Sequence, residues 1–147
     1  MKKVRDIRNL ITPNASVVYE NASLSKIAEE MIKDPKTTAV YVIDENKKLK
    51  GVIPLDELIQ YIYYEYIPQD YIMYHFPLVL SNDATAQDIM LPPVYVKDTD
   101  TITDAFKKMF KNRMKEVPVV DEDMHVIGDL NMLELIMAWL SSVKNAD

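Results

Sequence analysis

Two copies of one pattern make up the sequence, and this repetition limits the possible folds more than any other feature. The amphipathic segment at 23–34 recurs at 101–112 with an offset of 78, and both have apolar residues at i, i+3, i+4, i+7 and i+8. The two glycines in 147 residues, Gly51 and Gly128, open "GVIPLDELI" and "GDLNMLELI". We therefore treat the chain as a tandem repeat.

Each copy is predicted to contain the same elements in the same order. β-branched runs bounded by acidic turns predict strands, and apolar residues at helical spacing predict helices. The predicted unit is strand, helix, strand, strand, helix, preceded by a short helical lead-in ("RDI" at Arg5, "QDI" at Gln87). The strands are expected at 16–20, 37–44 and 48–54 in the first copy and at 93–97, 115–122 and 125–131 in the second; the closing helices begin at Leu55 and Met132.

Helix caps support these boundaries. Thr101 followed by Asp104 is typical of a capping box, and Ser23 can cap the equivalent helix of the first copy. Asn131 and Glu134 are predicted to form another capping box at the start of the last helix.

A unit of about 60 residues buries too little apolar surface to be stable alone. We therefore expect an α/β (α+β) fold in which the two copies pack sheet to sheet as one pseudo-twofold module. The predicted boundaries are 1–66 for the first repeat, 67–85 for a tyrosine-rich inter-repeat segment and 86–147 for the second repeat.

Composition excludes several classes of function. The net charge of −6 argues against an open nucleic-acid-binding face. The sequence contains no apolar run of the roughly 20 residues that a membrane span needs, and its start lacks the apolar centre of a secretory signal. With no cysteine either, we expect a cytoplasmic protein.

Four motifs are typical of one known family: "QDIM" (87–90), "PVYVKDTDTITDAFKKM" (93–109), "EVPVVDEDMHVIGDLNMLELI" (116–136) and, more weakly, "AVYVIDENKKLKGVIPLDELI" (39–59). Through them the sequence resembles the cystathionine-β-synthase (CBS) domain family, as a stand-alone tandem pair known as a Bateman module. The resemblance implies a non-catalytic regulatory module with no required cofactor. It also implies that the clefts between the paired domains bind AMP, or else ADP, ATP or S-adenosylmethionine, and that the module forms a homodimer.

In the family pattern, the glycine is followed three residues later by Ser or Thr and three further on by Asp. Here these positions hold Pro54 and Glu57 in the first copy, and Asn131 and Glu134 in the second. Pro54 has neither a hydroxyl nor an N–H group, whereas the Asn131 amide can still donate. The sequence therefore favours the cleft of the second repeat as the nucleotide site.

The resemblance implies residues for both clefts. For the second repeat these are Pro93, Val94, Arg113, Lys115, Glu116, Val117, Pro118, Asn131, Met132 and Glu134. For the first repeat, expected to bind more weakly, they are Asn14, Ser16, Thr37, Thr38, Ala39, Pro54 and Glu57. No catalytic or metal-ligating residue is predicted, since His75 and His125 lie in different segments and the acidic turns are typical of solvated loops.

Two further alternatives remain open. The clefts could have lost ligand binding, leaving an interaction protein whose tyrosine-rich segment (60–76) forms a dimer or partner surface. Alternatively, the helix beginning at Leu55 runs on, bends near Pro68 and covers the module with its aromatic side chains. Met137, Trp139 and Leu140 belong either to the core or to a dimer interface.

Overall fold

A computed structural model describes residues 2–68, 70 and 83–145. The helices are α1 (Val4–Ile7), α2 (Leu24–Ile32), α3 (Leu55–Ile62), α4 (Ala86–Ile89), α5 (Ile102–Lys111) and α6 (Met132–Asn145), with a 3₁₀ turn at Tyr64–Tyr66. The strands are β1 (Val17–Tyr19), β2 (Ala39–Ile43), β3 (Leu49–Pro54), β4 (Val96–Lys97), β5 (Glu116–Val120) and β6 (Val126–Asn131). No helix in these residues is long and apolar enough to cross a membrane.

The strands form two three-stranded sheets of identical topology. In each, the first strand pairs parallel with the second and the second pairs antiparallel with the third, in the orders β1-β2-β3 and β4-β5-β6. The register shifts between Val42 and Ile43 in one sheet and between Val119 and Val120 in the other, at equivalent positions. This mixed α/β architecture confirms the predicted fold class.

The sheets face each other across a common core. Tyr41 and Val52 from the first sheet cluster with Val117, Val119 and Leu130 from the second, all almost fully buried. The Leu49 N–H also donates to the Met124 carbonyl at 2.9 Å. Removing this apolar surface from water joins the two repeats into one module.

The short lead-in helices are exchanged between the repeats. Val4 and Ile7 of α1 pack in the core cluster that contains Ala105 and Met109 of α5. Conversely, Ala86 and Ile89 of α4 pack against the first repeat, in the cluster of Ile27 and Leu58. Each repeat thus completes its core with a helix that precedes the other repeat.

The two glycines make room for this exchange. A Cβ on Gly51 would lie 2.5 Å from Met90 Sδ, just after α4, and one on Gly128 would lie 2.5 Å from Asn9 Oδ1, just after α1. Ordinary side chains do not fit such gaps, so both glycines serve a close approach between chain segments.

Most predicted elements are confirmed to within a few residues, with two corrections. The helix beginning at Leu55 ends at Ile62 and does not run on to Pro68; Tyr61 is buried, whereas Tyr63 and Tyr66 are exposed. Strand β4 is limited to Val96–Lys97, whereas the prediction began at Pro93. Pro93 has no N–H to contribute to a ladder. Residue 69 and residues 71–82 of the tyrosine-rich region, with His75 among them, lie outside the described residues.

Candidate ligand-binding site

A small cavity lies where the two repeats meet at the N-terminus of α3. Its volume is about 90 Å³. It is lined by the start of β2, the junction of β3 with α3, and the loop before β5: Thr38, Ala39, Pro54, Leu55, Asp56, Arg113, Met114, Lys115 and Glu116. The cavity therefore combines three residues predicted for the first cleft with three predicted for the second, and it adds Leu55, Asp56 and Met114.

The junction of β3 with α3 gives the cavity an uncapped helix end. Pro54 is the N-cap residue of α3 and makes no side-chain capping hydrogen bond. The Leu55 N–H donates to the Thr38 carbonyl at 2.8 Å, but the next N–H groups of the first turn have no side-chain cap. The positive end of the helix dipole therefore faces the cavity.

Two basic side chains border the same cavity. Arg113 and Lys115 are exposed, and neither forms a salt bridge or side-chain hydrogen bond within the described part of the chain. Arg113 has a positive φ of 56°. The Arg113 and Met114 N–H groups donate back to the last turn of α5, so this conformation ends the helix. Both side chains remain available to an anion.

Glu116 forms the buried wall of the cavity and is 1% exposed. Its Oε1 accepts hydrogen bonds from the Thr38 N–H at 2.6 Å, the Thr38 hydroxyl at 3.2 Å and the Ala39 N–H at 2.9 Å. Glu116 on β5 thus holds the start of β2 in the opposite sheet.

Behind Glu116 lies a second buried acid, Asp129. Its Oδ1 accepts a short hydrogen bond from the Tyr41 hydroxyl, whereas no group among the described residues donates to its buried Oδ2. Burial, followed by the neighbouring Glu116, raises the pKa of Asp129 to about 10. Asp129 is therefore protonated at neutral pH, and its Oδ2–H donates to Glu116. Burial and the charge of Asp129 likewise raise the pKa of Tyr41.

Asn131 and Glu134, the residues favoured from the sequence, lie in the second cleft and are buried. They form the predicted capping box, with the Asn131 N–H donating to Glu134 Oε1 at 2.9 Å and the Glu134 N–H donating to Asn131 Oδ1 at 3.0 Å. Glu134 Oε2 also accepts from the Ile11 N–H at 2.9 Å, and Asn131 Nδ2 donates to the Thr12 hydroxyl at 2.7 Å. Burial raises the pKa of Glu134, although these N–H donors oppose the shift.

Two pairs of predicted residues exchange clefts. Pro93 and Val94, predicted for the second cleft, belong to the connection whose Leu91 pairs with Val52 of the first repeat. Asn14 and Ser16, predicted for the first cleft, belong to the connection whose Ile11 donates to Glu134 of the second repeat. Val117 and Pro118 are buried within β5, and the Met132 N–H donates to the Lys115 carbonyl. Thr37 is buried, and its hydroxyl has no partner among the described residues. Pro93 and Asn14 are exposed, Val94 and Ser16 are half-buried, and burial raises the pKa of the half-buried Glu57.

The acidic turn after β5 brings together the ligand atoms of Asp121, Asp123 and His125, which lie within 4.8 Å of one another. Asp121 Oδ1 already accepts the N–H groups of Asp123 and His125, both at 2.9 Å. These bonds lower the pKa of Asp121. They are the bonds of an ordinary tight turn.

One signal for the buried acids was present in the sequence. Glu116 and Asp129 stand inside predicted strands whose neighbours are apolar, and a buried carboxyl needs a partner. The two acids could have been paired on this ground. The pairing of Glu134 with Ile11 had no such signal, because it depends on a loop 123 residues away in sequence.

Comparison with known proteins decides the family. The CBS domain profile matches residues 4–64 and 86–141. The chain belongs to the CBS domain family. As a CBS pair, it is similar to a CBS domain-containing protein of Thermotoga maritima, with a TM-score of 0.78 and 34% identity over 95% of this chain and 94% of that one. This confirms the resemblance to a stand-alone tandem module.

Two other relatives extend the comparison. CBSX2 of Arabidopsis thaliana, solved in complex with AMP, is similar with a TM-score of 0.73 and 27% identity over 96% of this chain and 98% of that one. The uncharacterized protein MJ1426 of Methanocaldococcus jannaschii is 28% identical over 84% of this chain and 85% of its own length.

Proposed function

We propose that this CBS pair is a non-catalytic regulatory module that binds an adenine nucleotide, AMP-like, at the cavity beside α3. Occupancy then alters how the module packs with a second copy or a partner. One observation carries the proposal. Arg113 and Lys115, which form no salt bridge within the described residues, lie beside the uncapped N-terminus of α3. A cytoplasmic location remains a prediction from the sequence.

The phosphate is the group that these features fit. Backbone N–H groups at a helix N-terminus and nearby basic side chains bind phosphate by charge-assisted hydrogen bonds. The cations come from the second repeat and the helix from the first, so a phosphate between them would contact both repeats. The proposed phosphate site therefore lies in the first cleft, whereas the sequence favours the second.

The other parts of a nucleotide also have complementary groups at this site. Asp56 lines the cavity in the first turn of α3, and its carboxylate can accept hydrogen bonds from ribose hydroxyls. Ala39, Leu55 and Met114 offer apolar surface to a base. AMP is the ligand we favour, because CBSX2, at 27% identity, was solved with AMP.

The cavity must widen to admit a nucleotide, and this links binding to regulation. Its 90 Å³ is well below the roughly 300–1,000 Å³ of small-molecule sites. The loop at 112–115 joins α5 to β5 and carries both cations. A ligand that displaces this loop favours a second arrangement of α5, and this differential affinity is what a regulatory module requires.

Homodimer formation is part of the proposal and is supported by α6. Leu133, Ile136, Leu140 and Val143 follow a 3-4-3 spacing along one face, and each is more than 40% exposed. Such a stripe is typical of a helix that pairs with another helix. Trp139, also exposed, lies beside it and is not part of the core.

A second candidate function is favoured by the same exposed face and by the small size of the cavity. In that case the protein is an interaction module whose clefts no longer bind nucleotide. The tyrosine-rich segment and α6 would then form its working surface.

Calorimetric titration with AMP, ADP, ATP and S-adenosylmethionine tests the two functions. We expect AMP to bind and to raise the Tm by mass action, whereas no stabilisation at millimolar ligand would favour the interaction module. Arg113→Ala and Lys115→Ala should each weaken AMP binding about tenfold or more, corresponding to the loss of a charge-assisted contact of roughly 1.4 kcal/mol. Lys107→Ala, an exposed change on α5 away from the cavity, is the matched control.

Comparing AMP binding by one variant in each cleft shows which cleft holds the ligand. Asp56→Ala, which removes the carboxylate that lines the cavity in the first turn of α3, should weaken AMP binding more than Glu134→Ala does. The opposite order would return the site to the second cleft.

A further inference from the structure

The second cleft already holds an anion that belongs to the chain itself. Glu134 is 0% exposed, and its carboxylate accepts N–H donors on both oxygens. Oε1 accepts from Asn131 at 2.9 Å, while Oε2 accepts from Ile11 at 2.9 Å and from Thr12 at 3.5 Å. These donors come from two segments, the start of α6 and the connection after α1.

The connection that supplies Ile11 and Thr12 is held against the cleft by several bonds. We call residues 9–13 the closing segment. Thr12 is 1% exposed and its hydroxyl accepts from Asn131 Nδ2. Asn9 Nδ2 donates to the Thr12 and Pro13 carbonyls, both at 3.1 Å, which curls the segment on itself.

The base of the closing segment is anchored on β6. The Asn9 N–H donates to the Asp129 carbonyl at 3.0 Å, and the Asp129 N–H donates to Asn9 Oδ1 at 3.2 Å. Arg8 forms an ion pair with Asp98 at 2.6 Å and donates to the Ile127 carbonyl at 3.0 Å. Gly128 permits this approach, since a Cβ there would overlap Arg8 and Asn9.

Among the residues that the structure describes, no segment closes the first cleft in this way. Its connection, residues 90–95, is shorter than residues 8–16, and Pro92 and Pro93 within it have no N–H to donate. Glu57, the counterpart of Glu134, is half-buried, and its carboxylate makes no hydrogen bond within the described residues. The two clefts therefore differ in backbone donors as well as in side chains.

We propose that Glu134 and the closing segment act as an internal plug, so that the second cleft is closed to anionic ligands and each chain binds a single nucleotide. The stoichiometry rests on the proposed function of the first cleft. The closure does not, because it is made entirely of contacts within the chain. A ligand phosphate would have to displace the Glu134 carboxylate from the same N–H groups.

The variant Glu134→Asp should remove the plug and keep the helix cap, so it distinguishes the two roles of this side chain. Aspartate at the same position of a capping box suffices in α4, where the Asp88 carboxylate accepts the Thr85 N–H. The shorter side chain should therefore keep the Asn131 N–H bonded but fail to reach Ile11 and Thr12. Glu29→Asp, an exposed change on α2, is the control.

Native-state hydrogen exchange read residue by residue tests the closure. In the wild-type chain, Ile11 and Thr12 should exchange slowly, and Glu134→Asp should speed both by about tenfold or more while Asn131 stays protected. Unprotected Ile11 and Thr12 in the wild-type chain, or unchanged rates in Glu134→Asp, would overturn the plug.

Titration with AMP tests the stoichiometry. The wild-type chain should bind one AMP, and Glu134→Asp should bind two. Two AMP molecules on the wild-type chain overturn the proposal. If AMP binds neither protein, the proposed nucleotide function fails, and the exchange rates alone decide whether the second cleft is plugged.

Discussion

At the scale of single residues, the centre of the module contains a carboxyl group, Asp129, that keeps its proton at neutral pH. Asp129, Glu116 and Tyr41 lie in the interface between the sheets. Their hydrogen bonds run from Tyr41 on β2 through Asp129 on β6 to Glu116 on β5, and from there back to Thr38 and Ala39 on β2. At the positions of Tyr41, Asp129 and Glu116, the other repeat carries Pro118, Val52 and Ala39, which have no polar side chain. This hydrogen-bond network therefore has no counterpart at the pseudo-symmetric positions of the other repeat.

This proton predicts a pH dependence of stability. The folded-state pKa of Asp129 is raised from 3.8 to about 10, so folding takes up a proton between these values. The contribution of the Asp129 proton to the free energy of unfolding is complete below about pH 4 and is lost as the pH rises toward 10. The unfolding free energy should then fall by up to about 1.4 kcal/mol per pH unit across neutral pH.

Asp129→Asn should remove that dependence. Its Oδ1 can still accept from Tyr41 and its Nδ2 can donate to Glu116, so the variant should be more stable than the wild type at pH 8.5. Urea unfolding at pH 6 and pH 8.5 measures the difference, with Asp123→Asn in an exposed turn as the control. Parallel pH profiles for wild type and Asp129→Asn would show that Asp129 is ionised in the folded protein.

At the scale of secondary-structure elements, α6 serves two surfaces at once. One face carries Glu134 and Ala138, both buried against the module. The opposite face carries the apolar stripe of Leu133, Ile136, Leu140 and Val143. An apolar stripe that is exposed to water is expected to pack against the apolar face of a second helix.

Charging the stripe should separate the proposed homodimer. Ile136→Glu and Leu140→Glu each place a carboxylate where a partner helix would bury it, so the measured mass should fall from dimer to monomer at micromolar concentration. Light scattering coupled to size-exclusion chromatography gives the mass. Ser142→Glu, exposed on the same helix but away from the stripe, should leave it unchanged. A wild-type mass equal to one chain would refute the dimer.

At the scale of the whole molecule, the exchanged helices make the two repeats interdependent. Val4 and Ile7, nearly fully buried, belong to the core of the second repeat, and Ala86 and Ile89 belong to that of the first. Burial of a Val or Ile side chain contributes about 1.5–3 kcal/mol, against a total stability of about 5–15 kcal/mol for a domain. Neither repeat can lose its borrowed helix and stay securely folded.

Separated halves should therefore fold only together. The fragment 83–147 alone should give no cooperative urea transition by circular dichroism, because α1 is missing from its core. Mixing it with fragment 2–68 in equal amounts should restore a cooperative transition. A cooperative transition for either fragment alone would show that the exchanged helices are dispensable.

Much of the whole fold could be predicted from the sequence. The repeat offset located β2 and β5, and the helical spacing located α2 and α5, because apolar periodicity is a local signal. The capping box of Asn131 with Glu134 is equally local. The docking of distant segments could not be read in this way. The family resemblance implies Arg113 and Lys115 for the second cleft, whereas the packing of the sheets brings their loop to α3 of the first repeat.

The exchange of α1 and α4 also has a consequence for synthesis on the ribosome. The first repeat lacks Ala86 and Ile89 until the chain has been translated well past its own last helix, and α1 waits still longer for α5 and α6. Neither core can be completed while the nascent chain is short. The native state therefore forms only after both repeats, through α6, have been translated.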